Sequence, residues 1–191
     1  MSSPVLLHQL SDTARILLAL VFLCSLAGKL RGTEAFLEFR AAIGQMAPSL
    51  LRVRKAVAVL VVPAEALTVV TLALPATAVI GLSLSAALLA VFTAGLAGVL
   101  RRGATTPCHC FGRGAPIAPR HVVRNVLLGL AALAGLGGRL VVAGTEAAAG
   151  GVNGAGLLLA TGVAALLALV TVTLDDLAGL FAPRPAAGKN R

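Results

Sequence analysis

The polarity pattern of the chain is dominated by long runs without charge. A helix needs about 20 apolar residues to cross about 30 Å of hydrocarbon, and five segments approach that length. The first predicts a helix over about 11–28, charge-free from Ile16 to Gly28 and closed by Lys29 and Arg31. Ala56 to Leu100 holds 45 residues with one charge, Glu65, which is enough for two spans. Leu74-Pro75-Ala76 supplies the turn, so helices over 56–74 and 77–100 are expected as antiparallel neighbours. A fourth is expected over 121–142. A fifth is expected over 156–174, ending at Asp175 and Asp176 after a Gly-rich spacer around 144–156.

The connections differ in character. Between Arg31 and Lys55, Thr33 can cap a helix on which Phe36, Phe39, Ile43 and Ala47 recur at helical spacing, as in a helix lying in the membrane interface. Gly44 and Pro48 suit a plain loop equally well. Residues 101–120 carry Pro107, Pro116, Pro119, Gly103, Gly112 and Gly114, a composition no helix survives.

Composition turns this pattern into a class. Of 191 residues, 58% are hydrophobic and 12% charged, with mean hydropathy +0.97, so a soluble domain with a charged skin is excluded. The expectation is an all-α integral membrane helical bundle: a four-helix core over 1–143, a spacer and fifth helix over 144–181, and a disordered tail over 182–191. The protein would be multi-pass in the cell membrane, with the lipid bilayer as its first partner. Residues 1–14 contain no Lys or Arg, so the basic start of a cleaved signal peptide is missing and the first helix is expected to be retained.

The net charge of +9 raises nucleic acid as a partner, but the chain has no Trp or Tyr and its basic residues flank apolar runs. They serve headgroups and orientation instead. With five spans, fourteen Lys and Arg fall on one face and two, Arg15 and Arg139, on the other. Basic loops stay cytoplasmic, which predicts the N-terminus outside and the 101–120 loop inside.

That loop holds the candidate chemistry, Cys108-His109-Cys110. Arg102 and Arg113 nearby favour thiolate, the species that attacks disulfides or binds soft metals. One intervening residue lets the sulfurs close a small, strained and easily reduced ring. Three readings stand open: a redox-active dithiol with His109 and Arg113 tuning the thiolate, metal ligation by Cys108, His109 and Cys110 with His121, and an inert turn. Cys24, inside the first apolar run, reads as a small hydrophobe or as a resolving thiol. Glu65 lies deep in a span and must be protonated, paired or hydrated. Lys29 is a candidate partner, and a bundle-stabilising bond and a proton relay are both open. Lys29, Arg101, Arg102, Asp175 and Asp176 otherwise read as helix-end anchors. A transporter built on Glu65 is disfavoured by the lack of a second intramembrane ionisable residue and of internal repeats.

The residues Phe22 to Lys29 (FLCSLAGK), Pro63 with Glu65, Cys108-His-Cys-Phe-Gly112 and Arg124-Asn125 together resemble the methylamine-utilisation MauE family, within the wider MauE/DoxX group, over about residues 14–140. The resemblance implies a four-helix membrane core and a role in maturing the methylamine dehydrogenase light subunit, a disulfide-rich exported client. Cys108 and Cys110 would exchange electrons with a thioredoxin-like protein or a quinone, a membrane thiol-disulfide oxidoreductase activity. The alternative is a non-enzymatic membrane scaffold or a metal-binding membrane protein.

Overall fold

Each apolar run becomes a helix, and the first is longer than its charge-free centre. The computed structural model describes residues 3–46, 52–103, 107–108, 115–116, 118–143 and 154–181. Helix α1 spans Ser3–Leu30, starting at Ser3 rather than near 11. The polar residues that precede the apolar centre do not end the helix; they turn onto an inner face. Ser11, Asp12 and Arg15 are buried, and Asp12 lies 3.5 Å from His8 and 3.6 Å from Arg15.

Residues 33–46 settle as a helix rather than a loop. Helix α2, Thr33–Met46, buries Phe39 and Ile43 against Val57, Ala58, Val61 and Val62 of α3, Arg54–Ala73. Ala47 and Pro48 lie outside the described residues. A 3-10 turn over Pro75–Thr77 joins α3 to α4, Ala78–Arg101. The two helices pack closely beside this turn: a Cβ built on Gly81 would stand 2.8 Å from the Leu72 backbone nitrogen. Strands β1, Pro107–Cys108, and β2, Ala115–Pro116, pair antiparallel, with Cys108 opposite Ala115. Helix α5, Pro119–Ala143, opens on a proline, whose missing N–H costs nothing in a first turn. Helix α6, Gly154–Phe181, runs past Asp175 and Asp176.

Among the described residues four helices are long and apolar enough to cross a membrane: Leu6–Leu30, Arg54–Ala73, Pro75–Arg101 with the 3-10 turn included, and Pro119–Val141. Helix α1 packs against α3, α5 and α6, while α4 packs against α3 and α5. The core joins Leu17, Leu18, Val21 and Phe22 of α1 to Leu72, Leu82, Leu89, Leu128 and Ala132. Helix α6 meets this core through Ala164 and Ala168, with Ala160 buried one turn before them, and turns Leu158, Leu159 and Leu166 outward. Small residues let helices approach closely where lipid offers no hydrophobic drive for association. Outward leucines are what a hydrocarbon solvent requires. Hydroxyls within the spans bond to their own helix: Thr68, Thr71, Ser85 and Thr93 each donate to the carbonyl four residues back.

Two arginines mark the ends of the bundle. Arg102 donates to the carbonyls of Gln45 and Met46, tying the end of α4 to the end of α2. Arg139 donates to the Pro75 carbonyl at 2.7 Å. The C-terminus of α1, the N-terminus of α3, the C-terminus of α4 and the N-terminus of α5 thus share one end, and the 102–118 connection that carries the cysteines leaves from it.

Candidate functional site

Helix α1 places Ser25 and Lys29 one turn apart on its inner face, and antiparallel α3 brings Glu65 opposite them. Lys29 Nζ donates to Glu65 Oε1 at 2.6 Å, to Oε2 at 2.8 Å and to Ser25 Oγ at 2.7 Å. Ser25 Oγ in turn donates to Oε1 at 3.4 Å. Glu65 has no exposed surface and Lys29 is 2% exposed. Lys29 is therefore not the interface anchor its place at a helix end suggested, because α2 folds across that end and covers it. The ammonium stands 4.7 Å from the Phe39 ring of α2 and 5.6 Å from the Phe92 ring of α4, both within cation–π range.

A charge at the centre of a bilayer costs about 2.5–3.5 kcal/mol on insertion scales, so an isolated Lys29 or Glu65 would oppose folding. Their two hydrogen bonds, the serine and the two rings offset that cost. The pair borders a cavity of about 30 Å³, lined also by Phe22, Met46, Arg124 and Asn125. Phe92 precedes Arg101 by nine residues and Arg124 follows Pro119 by five, so the cavity lies about 8–14 Å beneath the loop end of the bundle at about 1.5 Å per helical residue. The wall at that end is Leu96 and Val99 packed with Met46, Leu100 and Val122.

Of the residues singled out in the sequence, Glu65 is thus placed with its partner. His109, Cys110 and Arg113 lie outside the described residues, as does the side chain of Cys108, whose backbone pairs with Ala115. Cys24 is exposed on α1, turned about 100° around the helix from its buried neighbour Ser25. His121 is buried at the start of α5, where its Nδ1 accepts from the Ala118 N–H at 2.9 Å. Arg101 and Arg102 are exposed at their helix end, as expected of them. Among the described residues no group of three or more His, Cys, Asp and Glu gathers as a metal site.

Sequence reasoning missed Ser25, Phe39 and Phe92 as partners of Lys29, and the His8, Asp12 and Arg15 cluster near the other end of α1. A serine at i−4 to the lysine was the one available signal, since those positions share a helix face. Six of the residues that carry the family resemblance, Phe22, Ser25, Lys29, Glu65, Arg124 and Asn125, line this cavity, whereas Pro63 and Cys24 do not. Neither the curated proteins nor the solved structures searched gave a match to the chain. The model of the family described as methylamine utilisation protein MauE matches residues 7–138, and the chain, a multi-pass helical membrane protein, belongs to that family.

Proposed function

We propose that this MauE-family protein is a membrane component of a thiol-disulfide system that matures an exported, disulfide-containing client. Cys108 and Cys110 form the exchanging pair, and His109 and Arg113 favour the thiolate. The observation that supports the reading is the Cys-His-Cys segment lying between two spans in the sequence, with the Cys108 backbone paired antiparallel to Ala115. The methylamine dehydrogenase light subunit is the first client to assay, on the strength of the family.

In the exchange, one cysteine thiolate attacks a partner disulfide, forms a mixed disulfide and expels the partner's thiolate. The second cysteine, once deprotonated, closes the Cys108–Cys110 disulfide and releases the other partner sulfur. The cysteine pair loses two electrons and two protons, and the partner gains both. A thioredoxin-like protein or a quinone is the class of partner that can take them, and the reverse flow oxidises a client dithiol.

Acid quenching followed by alkylation with a mass-adding thiol reagent tests the reading. Both oxidised and reduced Cys108/Cys110 forms are expected in growing cells, and Cys108→Ser with Cys110→Ser should abolish client maturation. Fully reduced cysteines at all times, with normal client in the double variant, would overturn it in favour of a non-enzymatic scaffold.

A further inference from the structure

We infer that the groove between α5 and α6 binds one anionic phospholipid, its phosphate held by Arg120 and Arg124 and one acyl chain laid along the groove. The site is independent of the proposed cysteine chemistry.

The groove follows from how α6 docks. A Cβ built on Gly156 would stand 2.8 Å from Gln9 Nε2, and Ala164 packs in the cluster with Leu17 and Leu18, so α6 runs beside α1 in the same direction. Helix α5 packs on α1 as well, but α5 and α6 scarcely touch each other. Between them is left a groove of about 630 Å³, with Leu17 of α1 in its lining. That volume lies within the range of small-ligand sites, about 300–1,000 Å³.

The wall on α5 is a single helical stripe: Arg120, Val123, Arg124, Leu127 and Ala131 recur at intervals of three and four. Leu167, Val170 and Thr171 line it from α6. The Thr171 hydroxyl donates to the Leu167 carbonyl, which leaves that wall apolar. Polarity along the groove is therefore one-sided, with both arginines at the loop end and hydrocarbon beneath them.

A lipid has this same gradient. From Arg120 to Ala131, α5 rises about 16 Å at about 1.5 Å per residue, the depth of one leaflet in a hydrocarbon layer about 30 Å thick. Val123 and Leu127, 57% and 61% exposed, need an apolar neighbour over that depth. Any acyl chain supplies one, so the choice among lipids falls to the headgroup. Among the described residues of the lining there are two arginines and no Asp or Glu. A guanidinium carries five N–H donors in a planar fork that matches phosphate oxygens, so a bond to the protein leaves others for a headgroup. A zwitterionic lipid brings a cation of its own to this end, whereas an anionic one brings uncompensated negative charge. Basic pockets between spans suit such headgroups. The bound chain also supplies the packing that α6 lacks against α5.

Native mass spectrometry of the full-length protein in detergent, offered phosphatidylglycerol and phosphatidylcholine with identical acyl chains, tests the site. One phosphatidylglycerol should stay bound in preference to phosphatidylcholine. Arg120→Gln should weaken it about fivefold, the weight of one basic residue at an anionic lipid surface. Arg101→Gln removes the same charge from an exposed position at that end of the bundle, outside the groove, and should change nothing. Arg124 is left in place because it also lines the cavity beside Lys29 and Glu65.

Ala131→Leu narrows the deep end of the groove and spares both arginines, so it should weaken both lipids together. Should it not fold, Val170→Phe, at a position 45% exposed on the opposite wall, makes the same test. Equal retention of the two lipids by the wild type, or equal losses in Arg120→Gln and Arg101→Gln, would reduce the site to a general basic surface and overturn it. A bound lipid undisturbed by filling the groove would overturn it too.

Discussion

Lys29 and Glu65, 36 positions apart in sequence, share two hydrogen bonds of 2.6 and 2.8 Å inside the bundle. They clamp α1 to α3 where lipid offers no hydrophobic drive for helix association. Removing one partner of a buried pair leaves an uncompensated charge, whereas removing both in favour of apolar residues is close to neutral. Lys29→Met alone and Glu65→Leu alone should each destabilise the bundle by about 3–5 kcal/mol, and the double variant should recover most of the loss. Thermal unfolding in detergent closes the cycle. Additive losses in the double variant would mean that the pair is not what holds these helices.

The Gly81–Leu72 contact sets a second expectation. A methyl group on Gly81 would meet the Leu72 backbone nitrogen at 2.8 Å and its side chain at 2.9 Å, and a backbone atom cannot rotate away. Gly81→Ala should therefore cost about 1–3 kcal/mol, the usual range for overpacking. Gly129→Ala, with open space around the new methyl, should instead gain about 0.5–1 kcal/mol from reduced helix entropy loss. The difference between the two melting temperatures is the readout; equal shifts would contradict the close approach of α3 and α4.

The spans were legible because a charge-free run of about 20 residues has few other uses, and the turn at Pro75 followed from the length of the 56–100 run. The start of α1 was not. Asp12 and Arg15 pair at 3.6 Å on an inner face, and a hydropathy pattern counts such a pair as two reasons to stop. Glu65 announced that it needed a partner, yet local pattern does not say which cation lies opposite on another helix. Lys29 closed a run and so resembled an anchor, and only the fold of α2 across it explains its burial. Phe39 and Phe92 look like ordinary apolar residues until the third dimension places a cation between them. Of the cysteine motif only the backbone of Cys108 is described, and its pairing with Ala115 depends on where α4 stops and α5 begins.

Helix α6 lies beyond residues 7–138 of the family match. It meets α1 through Ala164, which has no exposed surface and packs in the cluster with Leu17 and Leu18. Ala164→Leu should push the helices apart and cost about 1–3 kcal/mol. Leu158→Ala, at a position 75% exposed, should stay within about 0.5 kcal/mol in detergent. Melting curves of both variants test the docking face, and a harmless Ala164→Leu would place that face elsewhere.

The orientation of the cysteine loop follows from charge and can be read by labelling. Arg31, Arg40, Arg52, Arg54, Arg101 and Arg102 are described residues at the loop end, while Arg139 lies near the other end, bonded to Pro75. Burial removes Lys29 and Arg15 from contact with headgroups without altering the asymmetry. Loops rich in Lys and Arg stay cytoplasmic, so in a Cys24→Ser background an impermeant thiol reagent should leave Cys108 and Cys110 unlabelled in intact cells and label them after permeabilisation. Cys24→Ser itself should leave client maturation unchanged, because that thiol faces outward from α1 among apolar neighbours. Labelling of intact cells would reverse the orientation and put the dithiol on the side where an exported client acquires its disulfides. Direct oxidation of the client would then replace relay through a cytoplasmic partner as the step to assay.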